Sequence, residues 1–302
     1  MAMSPEMKND LYKTVTTGLI EQMEQGVAIW QKPWVTSKAH QPRNGHHDRA
    51  YNGFNRIYLG MLQDQLGSND PRWYTFENIK DLQRKDEKIK LRKGSKSTIV
   101  VYNGPSTYTV QNDEGEDEER TSWRLIYYRV FHASMIENLA EYQVDLEHER
   151  VDDIDIEHPG IESMRDWCDQ LAGFSHGGTK ACYIPSEDAI RLPEVDTFHK
   201  TSWYAQTLAH EIIHATGHES RINRLERTGF GTSTYAKEEL IAEFGAAMML
   251  GSYGIPVDME QSAAYLKSWA ERCKDEPSLL VSAANAAEYA ADYVMQDEYA
   301  VA

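Results

Sequence analysis

The sequence predicts an α+β protein of two domains, a mixed N-terminal unit and a mostly helical C-terminal unit with a small sheet. Three observations point there. At 302 residues the chain is long for a single core. Charge divides unevenly: residues 1–130 hold 19 Lys+Arg against 17 Asp+Glu, and residues 131–302 hold 12 against 31. The hydrophobic pattern also changes, from β-rich runs among short helices to helical spacing nearly throughout. We place the divisions at 1–136, an acidic linker over 137–160 that ends at Pro159-Gly160, and 161–302.

The elements follow in order. Leu11, Val15, Leu19, Ile20 and Met23 recur at helical spacing and predict a helix over 8–29. A loop rich in Pro, Asn, Gly and aromatics comes next, and then short helices over 55–67 and 76–86. STIVVYN (97–103) and SWRLIYYRVFHA (122–133) read as two strands joined by an exposed acidic loop, NDEGEDEER. Past the linker, a helix over 161–172 leads to strands at 180–184 and 189–193. Helices over 203–216, 235–251, 260–273 and 278–295 complete the chain. No internal repeat is visible.

Several function classes drop out. No run of about 18 apolar residues exists, so no membrane span is expected. The first residues are polar and lack the apolar core of a secretory signal. Three scattered cysteines suggest thiols in a reducing compartment. The expected location is the cytoplasm.

LAHEIIHATGH (208–218) carries the chemistry. His210 and His214 lie one turn apart and about 40° around a helix, so both imidazoles can reach one ion. Glu211, about 100° from His210, is placed to act on a metal-bound water as general base and acid. A third ligand is needed. HExxHxxGxxH fails, because Ser220 stands where the last histidine belongs. The other pattern takes a glutamate from a downstream helix. EELIAEFGAAMML offers Glu239 as ligand, Glu243 as hydrogen-bond partner of a ligand histidine, and Glu238 as the substitute ligand. Two His and one Glu leave a coordination position open, the catalytic arrangement. The cofactor is then one divalent metal ion, Zn(II) first, with Mn(II) or another ion also admitted. Tyr235 is a candidate oxyanion helper, and residues 189–192 a candidate edge strand for a peptide substrate. The competing reading is two amphipathic helices whose acids face solvent.

The first half reads differently. Residues 71–100 hold nine cations against four acids. LRKGSK sets Arg92, Lys93 and Lys96 around a glycine, an arrangement suited to phosphates. Trp30, Trp34, Tyr51, Trp73 and Tyr74 lie in or beside loops rich in Asn and Arg. Cationic grooves with aromatic faces bind single strands. The candidate DNA contacts are Trp30, Trp34, Arg43, Asn44, Tyr51, Asn52, Asn55, Arg72, Trp73, Arg92, Lys93 and Lys96. A half-buried aromatic core under a solvated charged face competes with this. His40, His46 and His47 lack the carboxylate or Cys partner that a second metal would need.

Together these pieces resemble the ArdC-type antirestriction proteins of conjugative plasmids and related mobile elements. AIWQKPW, QPRNG, RAYNGFNRIYL, PRWYTF and KLRKGSKSTIVVY resemble their single-stranded-DNA-binding domain. YIPSEDAIRLP, LAHEIIHATGHESRINR, YAKEELIAEFGAAMM and SAAYLKSWAE resemble their zincin-like metallopeptidase domain. The resemblance covers roughly residues 8–295. ExxxE stands here in place of ExxxD. The resemblance implies protection of incoming single-stranded DNA from host restriction, with a restriction enzyme or another protein as further partner. The acidic second half suggests mimicry of DNA toward such an enzyme. Two alternatives compete: an active protease cleaving a host or DNA-bound protein, and a DNA-coating protein whose metal only holds the fold.

Overall fold

A computed structural model describes residues 4–29, 40–111, 117–142, 154–225, 233–257 and 263–295. Trp30 and Trp34 therefore lie outside the described residues.

Helix α1, Pro5–Glu24, starts at Ser4, whose hydroxyl accepts from Met7 N. It buries Val15, Leu19, Ile20 and Met23. A short hairpin follows, β1 (Arg43–Asn44) and β2 (Arg49–Ala50). Then come α2 (Gly53–Gln65), β3 (Arg72–Thr75) and α3 (Phe76–Lys85). Thr75 and Asn78 form a reciprocal capping box at the start of α3. Strand β4 is Lys90–Leu91; β5 (Thr98–Gln111) and β6 (Asp117–His132) form a long ribbon; β7 (Ile136–Glu137) pairs with β4. The strands over 97–103 and 122–133 thus extend further than their apolar runs. Backbone pairing carries β5 and β6 into the acidic tract, where Gln111 faces Asp117.

The main sheet runs β2-β1-β3-β6-β5, with β1 and β3 parallel and the other neighbours antiparallel. Strand β3 has a neighbour on each side, which explains why Trp73 and Tyr74 are each only 2 % exposed. At the open edge, Asn55 of α2 plugs β5: its Nδ2 donates to Val101 O (2.6 Å) and its Oδ1 accepts from Val101 N (3.0 Å).

The second half begins with α4 (Pro159–Cys168). Three strands follow, β8 (Gly173–His176), β9 (Cys182–Ile184) and β10 (Ala189–Leu192), in the order β8-β10-β9. Strand β10 is central, so residues 189–192 are not the open edge expected of a peptide-pairing strand. Four helices complete the fold: α5 (Thr201–Thr216), α6 (Ser233–Ser252), α7 (Ala263–Asp275) and α8 (Pro277–Met295). Among the described residues no helix is long and apolar enough to cross a membrane.

One apolar cluster joins the two halves. Helices α1 and α2 pack on α8, and α1 also on α7. The start of α2 is completed by α8. Gly53 N donates to Glu288 Oε2 (2.7 Å), Phe54 N donates to Asn285 Oδ1 (2.9 Å), and Arg56 pairs with Glu288 Oε1 (3.2 Å). Gly53 has φ +53°, and a Cβ there would meet the Asn285 side chain, so glycine is required on both counts.

His132 ties β6 to the loop before β3. Its Nδ1 accepts from Ser134 N (3.1 Å), so Nε2 carries the hydrogen donated to Asp70 O (2.8 Å). Burial holds its pKa below the ordinary 6.5. The unfolded chain therefore takes up a proton near pH 6.5 that the folded chain resists, and stability falls as the pH drops below that point. We expect urea midpoints to decline below pH 6.5, with a shallower decline in His132→Gln. Equal slopes in both proteins would remove His132 as the cause.

Candidate metal centre and nucleic-acid residues

Helix α5 buries Tyr204, Leu208, Ile212 and Ala215 completely, which turns His210 and His214 toward α6. Helix α6 buries Leu240, Phe244, Ala247 and Met248. Gly245 lets the two helices approach closely, since a Cβ there would lie 3.0 Å from three carbons of Ile213. That approach brings Glu239 to the histidines. His210 Nε2 and His214 Nε2 lie 3.1 Å apart, and each lies 3.7 Å from a Glu239 oxygen. Among the described residues these three each offer one ligand atom, all within 4.8 Å of one another. A tetrahedral zinc with bonds of about 2.0–2.2 Å spaces its ligand atoms by about 3.4 Å. The donor set fits one such ion and leaves a fourth position for water. A cleft of about 170 Å³ opens beside His210 and Glu243.

The supporting residues differ in part from the sequence expectation. Glu238 Oε1 lies 3.2 Å from His214 Nδ1, while Glu243 Oε1 lies 3.8 Å from His210 Nδ1. Each histidine thus has a carboxylate on its far nitrogen, and the closer of the two is Glu238, which sequence spacing offers only as a substitute ligand. Arg224 decides its role. It donates to Glu238 through Nε (2.9 Å) and Nη2 (2.7 Å), and also to Thr216 Oγ1 and Ile213 O. Burial pushes the Glu238 pKa up, but the hydrogen bonds from Arg224 and His214 outweigh it and leave a net lowering. Burial likewise opposes the proton on His214, yet the Glu238 bond holds that pKa above its ordinary value. His210 is held below its ordinary value by burial and by the neighbouring His214. An anionic Glu238 accepting from Nδ1–H leaves the His214 Nε2 lone pair facing Glu239.

Arg224→Ala is expected to loosen His214 and weaken binding of a divalent ion by about 10–100-fold. Competition with a chromophoric chelator measures this. Unchanged affinity would show that Glu238 needs no such support.

Arg224 reaches Glu238 because the chain doubles back after α5. Arg224 N and Leu225 N both donate to Gly217 O at 2.9 Å, and a Cβ on Gly217 would lie 2.8 Å from Leu225 Cγ. Asn223 (φ +54°) completes the turn. Arg221 in the same turn pairs with Asp188 and donates to Ala215 O. Glu211, 8 % exposed, accepts from Tyr183 N of edge strand β9 (2.7 Å), which fixes one oxygen of its carboxylate. Tyr235 lies one turn before Glu239 on α6 and is half-buried. His218 bonds Ser220 Oγ through Nδ1 (2.8 Å) and stands outside the ligand group.

The structure scatters the candidate DNA contacts rather than gathering them. Trp73 is buried, with its ring edge-on to His132 at 4.8 Å. Arg72 grips Asp70 through Nε (2.9 Å) and Nη2 (2.8 Å) and also donates to Ala140 O. Arg43 pairs with Asp48 at 3.0 Å. Asn44 donates to Asn78 and accepts from the amides of His46 and His47, shaping the hairpin tip. Asn55 is spent on Val101. Tyr51 is half-buried, and burial lifts its pKa to about 12. Asn52, Arg92, Lys93 and Lys96 are exposed.

Comparison with known proteins adds to the geometry. Residues 9–131 match the N-terminal domain of anti-restriction factor ArdC, and residues 167–286 match a zincin-like metallopeptidase family. The fold is similar to the metal-free crystal structure of the antirestriction ArdC protein from plasmid R388. That match has a TM-score of 0.73 and 33% identity, over 95% of this chain and 97% of that one. The Mn(II)-bound structure of the R388 protein matches with a TM-score of 0.73 and 31% identity, over 97% and 100% of the two chains. Two DNA primases TraC of Escherichia coli are 34% and 31% identical over 97% of this chain, which spans 20% and 28% of their lengths.

Proposed function

Because this chain belongs to the ArdC family of antirestriction proteins, we propose that it protects incoming DNA from host restriction, with single-stranded DNA held by its N-terminal half and one divalent cation by its C-terminal half. The observation that carries the metal part is the convergence of His210, His214 and Glu239. These residues would hold the ion. Zinc suits two imidazoles and a carboxylate, and manganese is the ion named for the R388 protein. An ion held there would lower the pKa of a bound water to about 7. Glu211 would accept the proton of such a water, with its carboxylate kept oriented by the Tyr183 amide. Glu238 and Arg224 hold His214; Glu243 stands beside His210. Tyr235, one turn before Glu239 on α6, is the oxyanion helper in this reading.

The DNA part is supported by the family match of residues 9–131, by the exposed cations Arg92, Lys93 and Lys96, and by the likeness to proteins named as DNA primases. A host restriction enzyme is the second partner in this reading, and the bacterial cytoplasm the place of action.

The deciding experiment transfers a plasmid by conjugation into restricting and non-restricting hosts. The wild-type chain should raise plasmid recovery in the restricting host only. Binding of labelled oligo-dT should weaken steeply with salt. No protection, together with no oligo-dT binding at low salt, would sink the proposal. Glu211→Gln divides the metal's roles: lost protection favours hydrolysis, and retained protection favours a metal that only holds the fold.

A further inference from the structure

Trp73 and Tyr74 are buried, so these two of the aromatic rings that the sequence nominates do not meet solvent. Other rings do. Among the described residues of the N-terminal half, Tyr102 (55 %), Tyr128 (52 %), Tyr127 (48 %) and Phe76 (50 %) are the large exposed aromatics. Phe76 is covered by the Lys80 ammonium at 4.9 Å. The three tyrosines all belong to the β5–β6 ribbon.

The register sorts them by face. Val100 faces Tyr128, Tyr102 faces Ile126, and Gly104 faces Arg124. Directly paired residues share a face, as do residues two apart on one strand. Tyr128, Tyr102 and Arg124 therefore form a diagonal stripe on one face, with steps of about 7–8 Å. Tyr127, opposite Val101, points from the other face. Gly104 explains the posture of Tyr102. A Cβ at Gly104 would run into the Tyr102 ring, so the ring lies flat along the strand over the bare glycine and turns its other side to solvent. β-propensity accounts for a tyrosine on a strand. It does not account for glycine beneath it, a residue that weakens strands and marks close approach by another group.

We propose that this face, with the Tyr102 and Tyr128 rings and the Arg124 guanidinium, is the platform on which unpaired bases of single-stranded DNA stack. The inference rests on the reading that the N-terminal half binds single-stranded DNA. The occupant follows from the chemistry: two open π-faces take two bases, and a cation beside them meets a phosphate. Lys96 and Arg129 sit exposed at the root of the ribbon. The far end is acidic in sequence at 117–119, so the nucleic acid crosses near the root rather than following the ribbon to its tip.

The test measures anisotropy of fluorescein-labelled dT20 at low salt with the full chain. Tyr102→Ala/Tyr128→Ala should weaken binding by about 5- to 100-fold per ring, with an unchanged thermal melt. The Phe versions should restore it. Tyr127→Ala, on the other face, should stay within about twofold. An abasic oligonucleotide should bind wild type and double variant alike. In parallel, 5-iodo-deoxyuridine oligonucleotides cross-linked to the wild-type chain should label the peptides holding Tyr102 or Tyr128. This measurement needs no variant to fold. Wild-type binding with an unaffected double variant, or cross-links confined to other peptides, would overturn the platform while leaving DNA binding in place. Failure of the wild type to bind dT20 at all would overturn both.

Discussion

Glu239→Gln is expected to lower affinity for Zn(II) and Mn(II) by more than a hundredfold, while Glu211→Gln keeps it within about threefold. The two glutamates differ in what they face. Glu239 sits 3.7 Å from both Nε2 atoms, where an ion at bonding distance from the histidines needs an anionic oxygen. An amide oxygen there brings no charge, and the site loses more than the 10–100-fold or so that a supporting partner is worth. Glu211 binds the Tyr183 amide through one oxygen and belongs to no ligand group. Chelator competition gives both affinities. Thermal melts with added metal give an independent measure, because an ion that binds only the folded chain raises its stability with concentration. Equal losses in the two variants would make Glu211 a ligand. No loss in Glu239→Gln would pass the third position to Glu238 and reverse the role we assign to Arg224.

Glu288→Ala, far from the histidines, is expected to destabilise the whole chain by about 3–5 kcal/mol. The side chains of Arg56 and Glu288 are 5 % and 12 % exposed, and the same carboxylate accepts from Gly53 N. Removing it takes the carboxylate away from a buried guanidinium and leaves the helix-start amide of Gly53 without its acceptor. The double variant Arg56→Met/Glu288→Leu removes both charges and should recover most of the loss, since a buried pair is worth little against apolar packing. Urea midpoints of the single and double variants decide this. A small loss in Glu288→Ala would mean that water reaches the interface between the halves.

Some of this was readable along the chain and some was not. HExxH is legible because the two histidines are one helical turn apart and need no knowledge of the fold. Glu239 is legible for a similar reason, as one of three acids beside the apolar face of a single helix. The pairing of Glu238 with His214 is not, because it depends on how α6 crosses α5 at Gly245 and on a turn that carries Arg224 back over Gly217. Strand β3 is hidden for a different cause. Arg72–Thr75 is four residues between a proline and a helix cap, too short for alternation to show, and its interior place in the sheet is what buries Trp73. Strand β8, GFSH, alternates no better, and without it β10 looks like an edge. The stripe of Tyr102, Tyr128 and Arg124 exists only once the register is known.

Asn55 has a consequence beyond the single strand it touches. Strand β5 is 14 residues long and ends the main sheet, so its outer backbone is a template on which another copy of the chain can add a strand. The Asn55 amide occupies both the donor and the acceptor of Val101, the way a neighbouring strand does. A side chain that sequence motifs nominate for nucleic acid thus serves as a stopper against sheet-to-sheet polymerisation. Asn55→Ala would leave both Val101 groups open to such pairing, and light scattering at high concentration would report it.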